Sequence, residues 1–183
     1  MRPSFTVLPL VFALVIGIAS WVVSDRLESD NRFCVACHLD SATPLHEKKS
    51  LDLRSDPPRS LVAAHRASRE DFRCIDCHRG TGSLGRIRVK LVAARDAASY
   101  LIGRFREPER MRHPLWDSDC LKCHTSVAGA DAGAFHGVEV HNVEFPFACV
   151  ECHTSHSGQG DPELQFLDQQ EVLPICQECH EEY

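Results

Sequence analysis

The chain has 183 residues and a formal net charge of −6, from 26 acidic and 20 basic side chains. This length fits a single domain, and the acidic balance argues against nucleic acid as a partner because nucleic-acid binding needs a basic surface. Nine Phe, two Trp and two Tyr are few aromatic residues from which to build a core.

The first predicted element is an uncharged apolar run from Phe5 to Val23. About 20 apolar residues are enough for a helix to span a bilayer. A cleavable signal peptide is the alternative, but its apolar stretch is shorter, and Ile18-Ala19-Ser20 matches a cleavage site only loosely. We predict an uncleaved membrane anchor with Arg2 on the inner side, so that the chain beyond it lies outside the cytoplasm. Trp21 takes the position of an interfacial aromatic residue.

A five-residue pattern, Cys-x-x-Cys-His, then occurs five times and contains all ten cysteines. It is the attachment signal for a c-type haem: the thiols form thioether bonds, and the histidine binds the iron. A disulfide framework would not place a histidine after every second cysteine, and structural zinc sites use such units in pairs, whereas five is odd. We therefore predict five covalently bound haem c groups, which would form most of the core. The copies are motif 1 (Cys34, Cys37, His38), motif 2 (Cys74, Cys77, His78), motif 3 (Cys120, Cys123, His124), motif 4 (Cys149, Cys152, His153) and motif 5 (Cys176, Cys179, His180).

The distance between the anchor and motif 1 is short. Ten residues separate Val23 from Cys34, and even a fully extended chain of that length reaches only about 35 Å. The first haem is therefore predicted to lie at the membrane surface, within reach of a lipid-soluble electron donor.

The segments between the motifs are predicted to be helices and loops, with no strand pattern of useful length. Residues 39–60 are polar and contain three prolines, so we interpret them as a loop, and Ser60 to Ser68 as a short helix. A flexible turn is expected from Gly80 to Gly85. After Met111 we expect little beyond motifs and loops.

The longest helical pattern after the anchor covers Arg86 to Arg106 and ends before Pro108. It is basic and amphipathic. Such a helix either lies on a membrane surface or packs on the haems with its charges in solvent, and the sequence leaves both possibilities open.

Six histidines lie outside the motifs. A haem that only carries electrons usually has both axial positions filled, so these histidines are candidates for the second axial ligand. His46, in the proline-rich loop, is the least secure candidate. The sequence assigns no second ligand to the first haem. The predicted second ligands are His65, His141, His156, His136 and His113.

The order of these features resembles the NapC/NirT/NrfH-type membrane-anchored quinol dehydrogenase cytochromes, which have one N-terminal helix and four c-type haems. The resemblance covers about residues 5–156. It is carried by Phe33–His38 after the anchor, Ala64-His65 before motif 2, Lys90–Asp96, Cys120–His124, and Val140-His141-Asn142 before motif 4.

The resemblance implies that Lys90 and Asp96 contact a quinol beside the first haem. Quinol oxidation releases protons, so Asp96 would accept a proton and Lys90 would hold a quinone oxygen; an exposed charge pair is the alternative. Two features depart from the family. Leu39-Asp40 follows His38 where some members have a methionine ligand, and motif 5 is additional.

The sequence thus predicts a mainly α protein with much irregular structure and little or no β-sheet. Residues 1–24 would form a single-pass anchor in the cytoplasmic membrane, and residues 25–183 a periplasmic pentahaem domain. We expect electron transfer from the membrane quinone pool to a periplasmic redox partner. The alternatives are a non-catalytic haem-relay subunit of a larger membrane respiratory complex, or a reductase of a small oxyanion.

Overall fold

The computed structural model describes residues 7–38, 46–106, 114–125, 135–141, 147–157 and 159–181. The predictions that concern Arg2, Asp40, Met111 and His113 lie outside these residues. The described part is mainly helical and contains no strand, only an isolated bridge between Asp161 and Leu167. This confirms the predicted fold class as far as secondary structure is concerned.

The helices follow one another in chain order, several of them short. The elements are α1 (Val7–Glu28), α2 (Asn31–Cys34), α3 (Glu47–Leu53), α4 (Leu61–Ser68), α5 (Cys74–His78), α6 (Gly82–Leu101), α7 (Asp117–Cys120), α8 (Cys149–Cys152), a 3₁₀ helix (Pro162–Leu164) and α9 (Gln169–Gln177).

Helix α1 has 22 residues, none of them buried. Its length and composition are sufficient to cross a membrane, since 22 helical residues span about 33 Å. The helix does not stop where the apolar run ends at Val23 but continues for five residues to Glu28. The two acidic residues of this last part, Asp25 and Glu28, contact the rest of the protein.

The short helix predicted at Ser60 to Ser68 is confirmed as α4. Ser60 is its N-cap, and its hydroxyl oxygen accepts a hydrogen bond from the N–H of Ala63 at 3.3 Å. The loop predicted for residues 39–60 is wrong over Glu47–Leu53, which form α3. Glu, Lys and Leu are good helix formers, and Leu53 gains burial at the end of this helix.

Helix α6 differs from its prediction at both ends. It begins at Gly82, inside the predicted flexible turn, because the turn needs only Gly80 and Gly82 in the left-handed region, at φ 75° and 65°. It ends at Leu101 rather than Arg106. Gly103, at φ 68°, closes it with two bonds typical of a Schellman motif, from Gly103 N–H to the Tyr100 carbonyl and from Arg104 N–H to the Ser99 carbonyl.

Helix α9 was not expected, because the sequence after Met111 was predicted to hold little beyond motifs and loops. Asp168 caps this helix through a hydrogen bond from the N–H of Gln170 at 3.1 Å, and Ser157 donates to the same carboxylate. The cap fixes the start of the helix, and Cys176 lies in its last turn.

The apolar core is small. In the described part of the chain, its buried apolar side chains are Leu53, Val62, Ala63 and Phe72, with Cys74 and Cys77 packed against them. This cluster joins α3, α4 and α5 next to motif 2. A few buried side chains are far fewer than a conventional core of a chain this long would contain.

Candidate functional site

Four of the five haem motifs share a local geometry: Cys74–His78 of motif 2 form the helical turn α5, and motifs 3 to 5 make the corresponding hydrogen bond. The histidine N–H donates to the carbonyl of the first cysteine, at 3.0 Å for His124, 2.8 Å for His153 and 2.9 Å for His180. One helical turn therefore brings the first cysteine and the histidine to the same side of the backbone. All ten cysteines are free of disulfides, so each thiol remains available for a thioether bond.

Four motif histidines each face a second histidine ring that comes from elsewhere in the chain. All four second rings belong to the set that the sequence predicted as second ligands. The ring centroids of the pairs are 6.4 Å apart for His78 and His156, 5.8 Å for His124 and His65, 6.1 Å for His153 and His136, and 6.2 Å for His180 and His141.

These distances fit an iron held between two imidazoles. With metal–nitrogen bonds of about 2 Å on each side, the centroids of two axial rings lie about 6 Å apart. Direct ring stacking is closer, as in the 4.4 Å between Phe135 and His141. The histidines present in motifs 2 to 5 therefore fit bis-histidine haem iron, and His156, His65, His136 and His141 are the residues that would supply the second ligand.

The protonation of these rings also suits metal binding, which requires neutral imidazole. Burial lowers the pKa of His156 to about 4 and lowers the pKa values of His78 and His153. The Nδ1 atom of His65 lies 2.8 Å from the Leu61 carbonyl. If Nδ1 donates there, Nε2 of His65 is left with its lone pair for a metal.

Motif 1 is built differently. None of the four ring pairs includes His38, and its N–H is bound by a side chain instead of by the Cys34 carbonyl. The Tyr100 hydroxyl, on α6, accepts from the His38 N–H at 3.0 Å and donates to the His38 carbonyl at 2.9 Å. The end of α6 is thereby joined to motif 1, a role for Tyr100 that the sequence analysis missed.

The motifs pack against one another in the order of the sequence. Helix α2 contacts α5, α5 contacts α7, α7 contacts α8, and α8 contacts α9. Lys122, inside motif 3, donates to the carbonyl of Asp76, inside motif 2, at 2.8 Å. The five motifs thus form one continuous row.

Two side chains join neighbouring motifs by the same kind of bond. Asn31 accepts a hydrogen bond from the N–H of Cys74 at 2.9 Å, and Asp117 accepts one from the N–H of Cys149 at 2.8 Å. Both acceptors stand three residues before the first cysteine of the preceding motif. Sequence reasoning missed them, although this shared position was the signal that could have found them.

Lys90 and Asp96 occupy different surroundings on α6. The Lys90 ammonium group lies 2.6 Å from the Ser24 hydroxyl, 2.9 Å from Glu28 and 3.0 Å from Asp25, all at the end of α1. Asp96 is half-buried and stands one turn before Tyr100, on the same side of the helix. The two residues are about 9 Å apart along the helix axis. Lys90 contacts α1, whereas Asp96 lies one turn from Tyr100, the residue of α6 that contacts motif 1.

No family model, no curated protein and no solved structure matches this chain. No group of three or more His, Cys, Asp or Glu side chains suited to a bare metal ion occurs among the described residues. The resemblance to quinol dehydrogenase cytochromes, and the haem ligands themselves, stay predictions.

Proposed function

We propose that the protein is a membrane-anchored pentahaem c-type cytochrome that transfers electrons from membrane quinol to a periplasmic redox partner. One observation carries the proposal: four motif histidines each face a second histidine at the ring spacing of a shared axial metal. When bound, haem c supplies reversible one-electron chemistry at its iron. The residues of the chain hold, orient and space these groups.

The small size of the apolar core supports the proposal that five haems are bound. A chain of 183 residues with four buried apolar side chains in its described part lacks the interior that would stabilise it alone. Five large apolar groups attached to the ten cysteines would supply that interior. Their loss would then leave the chain without a fold.

The order of the motifs in the row supports an electron-transfer path that begins at motif 1 and ends at motif 5. Motif 1 begins in α2, which packs against α1, and α1 is long and apolar enough to span the membrane. Motif 5 lies at the other end of the row. A lipid-soluble donor would therefore act at motif 1, and a periplasmic acceptor would take electrons near motif 5.

The surroundings of Lys90 favour a second candidate, a haem-relay subunit of a larger membrane complex. Its ammonium group is fully engaged by Ser24, Asp25 and Glu28, so it does not need a quinone oxygen as a partner. In that case another subunit would oxidise the quinol. Reduction of a small oxyanion is disfavoured, because the paired histidines at motifs 2 to 5 would both bind the iron of a haem held there and leave no place for a substrate.

The experiment that separates these functions uses the full chain in lipid nanodiscs. Menaquinol and ubiquinol analogues are added anaerobically, and reduction of the haem bands is followed against complete reduction by dithionite. Reduction by either quinol, in the absence of any other protein, is expected. Reduction by dithionite alone would overturn the quinol activity and leave the relay function. Absence of five c-type haems from the purified protein would overturn both.

A further inference from the structure

Helix α6 exposes a continuous apolar face. Leu84, Leu91, Leu101 and Ile102 are 65–84% exposed, and Ile87 is 44% exposed. At about 100° per residue, these side chains fall within an arc of about 100° along the helix. Ala94 and Ala98 fill the same arc and are also exposed. An apolar face of this length is not expected to remain in water.

The side of α6 opposite the apolar arc has its contacts inside the protein. Arg86 and Lys90 bind the acidic end of α1. On the side away from the apolar arc, Gly85 packs near Trp116, and Tyr100 binds motif 1. The apolar arc is therefore the side that this domain leaves uncovered.

The apolar face continues into the surface of the membrane helix. Trp21 and Ile87 line the same cleft of about 470 Å³, between the end of α1 and the start of α6. Ile18, Trp21 and Val22 are themselves exposed on α1. Because α1 enters the bilayer at this end, Ile87 lies at the depth of an interfacial tryptophan. This continuity selects lipid, rather than a second protein, as the occupant.

The charges beside the cleft match an anionic surface. Arg79, Arg86 and Lys90 surround Asp25 and Glu28, so three cations meet two carboxylates and one positive charge is in excess. The Arg79 side chain is 59% exposed, so its guanidinium group is accessible to lipid phosphate groups at the bilayer surface.

We propose that α6 lies on the surface of the bilayer, with Ile87, Leu91 and Leu101 among the acyl chains and the Arg79–Arg86 side at the headgroups. The helix would then act as a second membrane contact beside α1. Because Tyr100 joins α6 to His38, this contact fixes the height of motif 1 above the membrane. The proposal rests on the proposed membrane anchor and on a folded, haem-loaded chain, but not on quinol oxidation or electron transfer.

Photocrosslinking tests this placement directly. Benzoylphenylalanine is introduced at position 91 of the full chain, which is reconstituted in nanodiscs of phosphatidylcholine and phosphatidylglycerol, irradiated and analysed by mass spectrometry. Position 18 on α1 is the positive control. Position 48, an exposed lysine of α3, is the negative control.

Lipid adducts at position 91, in a yield near that at position 18 and well above that at position 48, are expected. A yield at position 91 no higher than at position 48 would overturn the proposal. Crosslinks from position 91 to a second copy of the chain would also overturn it, and would assign the face to a dimer. Position 101 repeats the test should substitution at position 91 prevent folding.

Discussion

The carboxylate of Asp117 accepts a hydrogen bond from the backbone N–H of Cys149, so a residue before motif 3 caps the first cysteine of motif 4. Asn31 stands in the same relation to Cys74 and joins motif 1 to motif 2. The same hydrogen bond between neighbouring motifs thus occurs twice, once between motifs 1 and 2 and once between motifs 3 and 4. It indicates that the row is assembled from two similar two-motif units, with motif 5 as an extension.

The Asp117 bond gives a first prediction. Replacing Asp117 with alanine leaves the Cys149 N–H without its acceptor, at a cost of about 1 kcal/mol. For a chain of this size, the unfolding midpoint should fall by about 3 °C. Asp117→Asn retains an acceptor oxygen, as at Asn31, and should lose less than half as much. Equal losses in the two variants, measured by thermal unfolding followed by circular dichroism, would mean that the charge rather than the bond matters.

The His65–His124 pair gives a prediction about spin state. Removal of the His65 ring should leave the iron at motif 3 without its second axial ligand and convert one of five irons from low to high spin. His65→Phe is the sharper variant, because a ring at this position keeps the packing on Phe72, at 5.2 Å in the native protein. Electron paramagnetic resonance of the oxidised protein measures the change. Arg66→Ala, on the same helix, is the control, and the same number of low-spin irons in the His65 variant as in the native protein would refute the ligand assignment.

The contact between Tyr100 and His38 gives a third prediction. Tyr100→Phe keeps the ring but removes both hydrogen bonds to the His38 backbone, which together contribute about 1.4 kcal/mol. The His38 amide should then exchange with deuterium about tenfold faster. Ser99→Ala, the neighbouring position on α6, should leave this rate unchanged. An unaltered rate in Tyr100→Phe would show that α6 does not hold motif 1.

The sequence predicted those features that depend on residue type and local pattern. The long apolar helix α1, α4 and the five motifs each have such a pattern. Of the five predicted second ligands, all but His113, which lies outside the described residues, face a motif histidine. Which ring faces which motif was not predictable, because the partners are brought together by contacts between distant segments. For example, the Val62 N–H donates to the Ser155 carbonyl at 3.0 Å, which holds the His156 segment against α4.

The errors also have local physical causes. Residues 39–60 were interpreted as a loop on account of their prolines, yet Glu47–Leu53 lie between those prolines and form α3. The end of α6 was assigned to Pro108, whereas Gly103 stops the helix earlier by adopting a left-handed conformation. The partners of Lys90 were not foreseen, because Asp25 and Glu28 are more than sixty residues away in the chain.

Those partners change how the predicted quinol site must be tested. Lys90→Ala removes a quinone contact if there is one, but it also removes the bonds to Ser24, Asp25 and Glu28 that hold α6 to α1. Arg86→Ala is the matched control, because Arg86 binds the same two carboxylates one turn earlier on the helix. Arg86→Ala therefore weakens the same contact between α1 and α6, here called the α1–α6 joint, and leaves the Lys90 ammonium group in place.

If Lys90 holds a quinone oxygen, Lys90→Ala should lower the rate of quinol-driven haem reduction about tenfold to a hundredfold, the effect of losing a charged hydrogen bond. Arg86→Ala should change that rate little, and dithionite should reduce both variants completely. Equal losses in the two variants would assign the effect to the α1–α6 joint and remove Lys90 from the quinol site. Asp96→Asn, which leaves the joint intact, would then decide whether the carboxylate beside Tyr100 accepts the proton on its own.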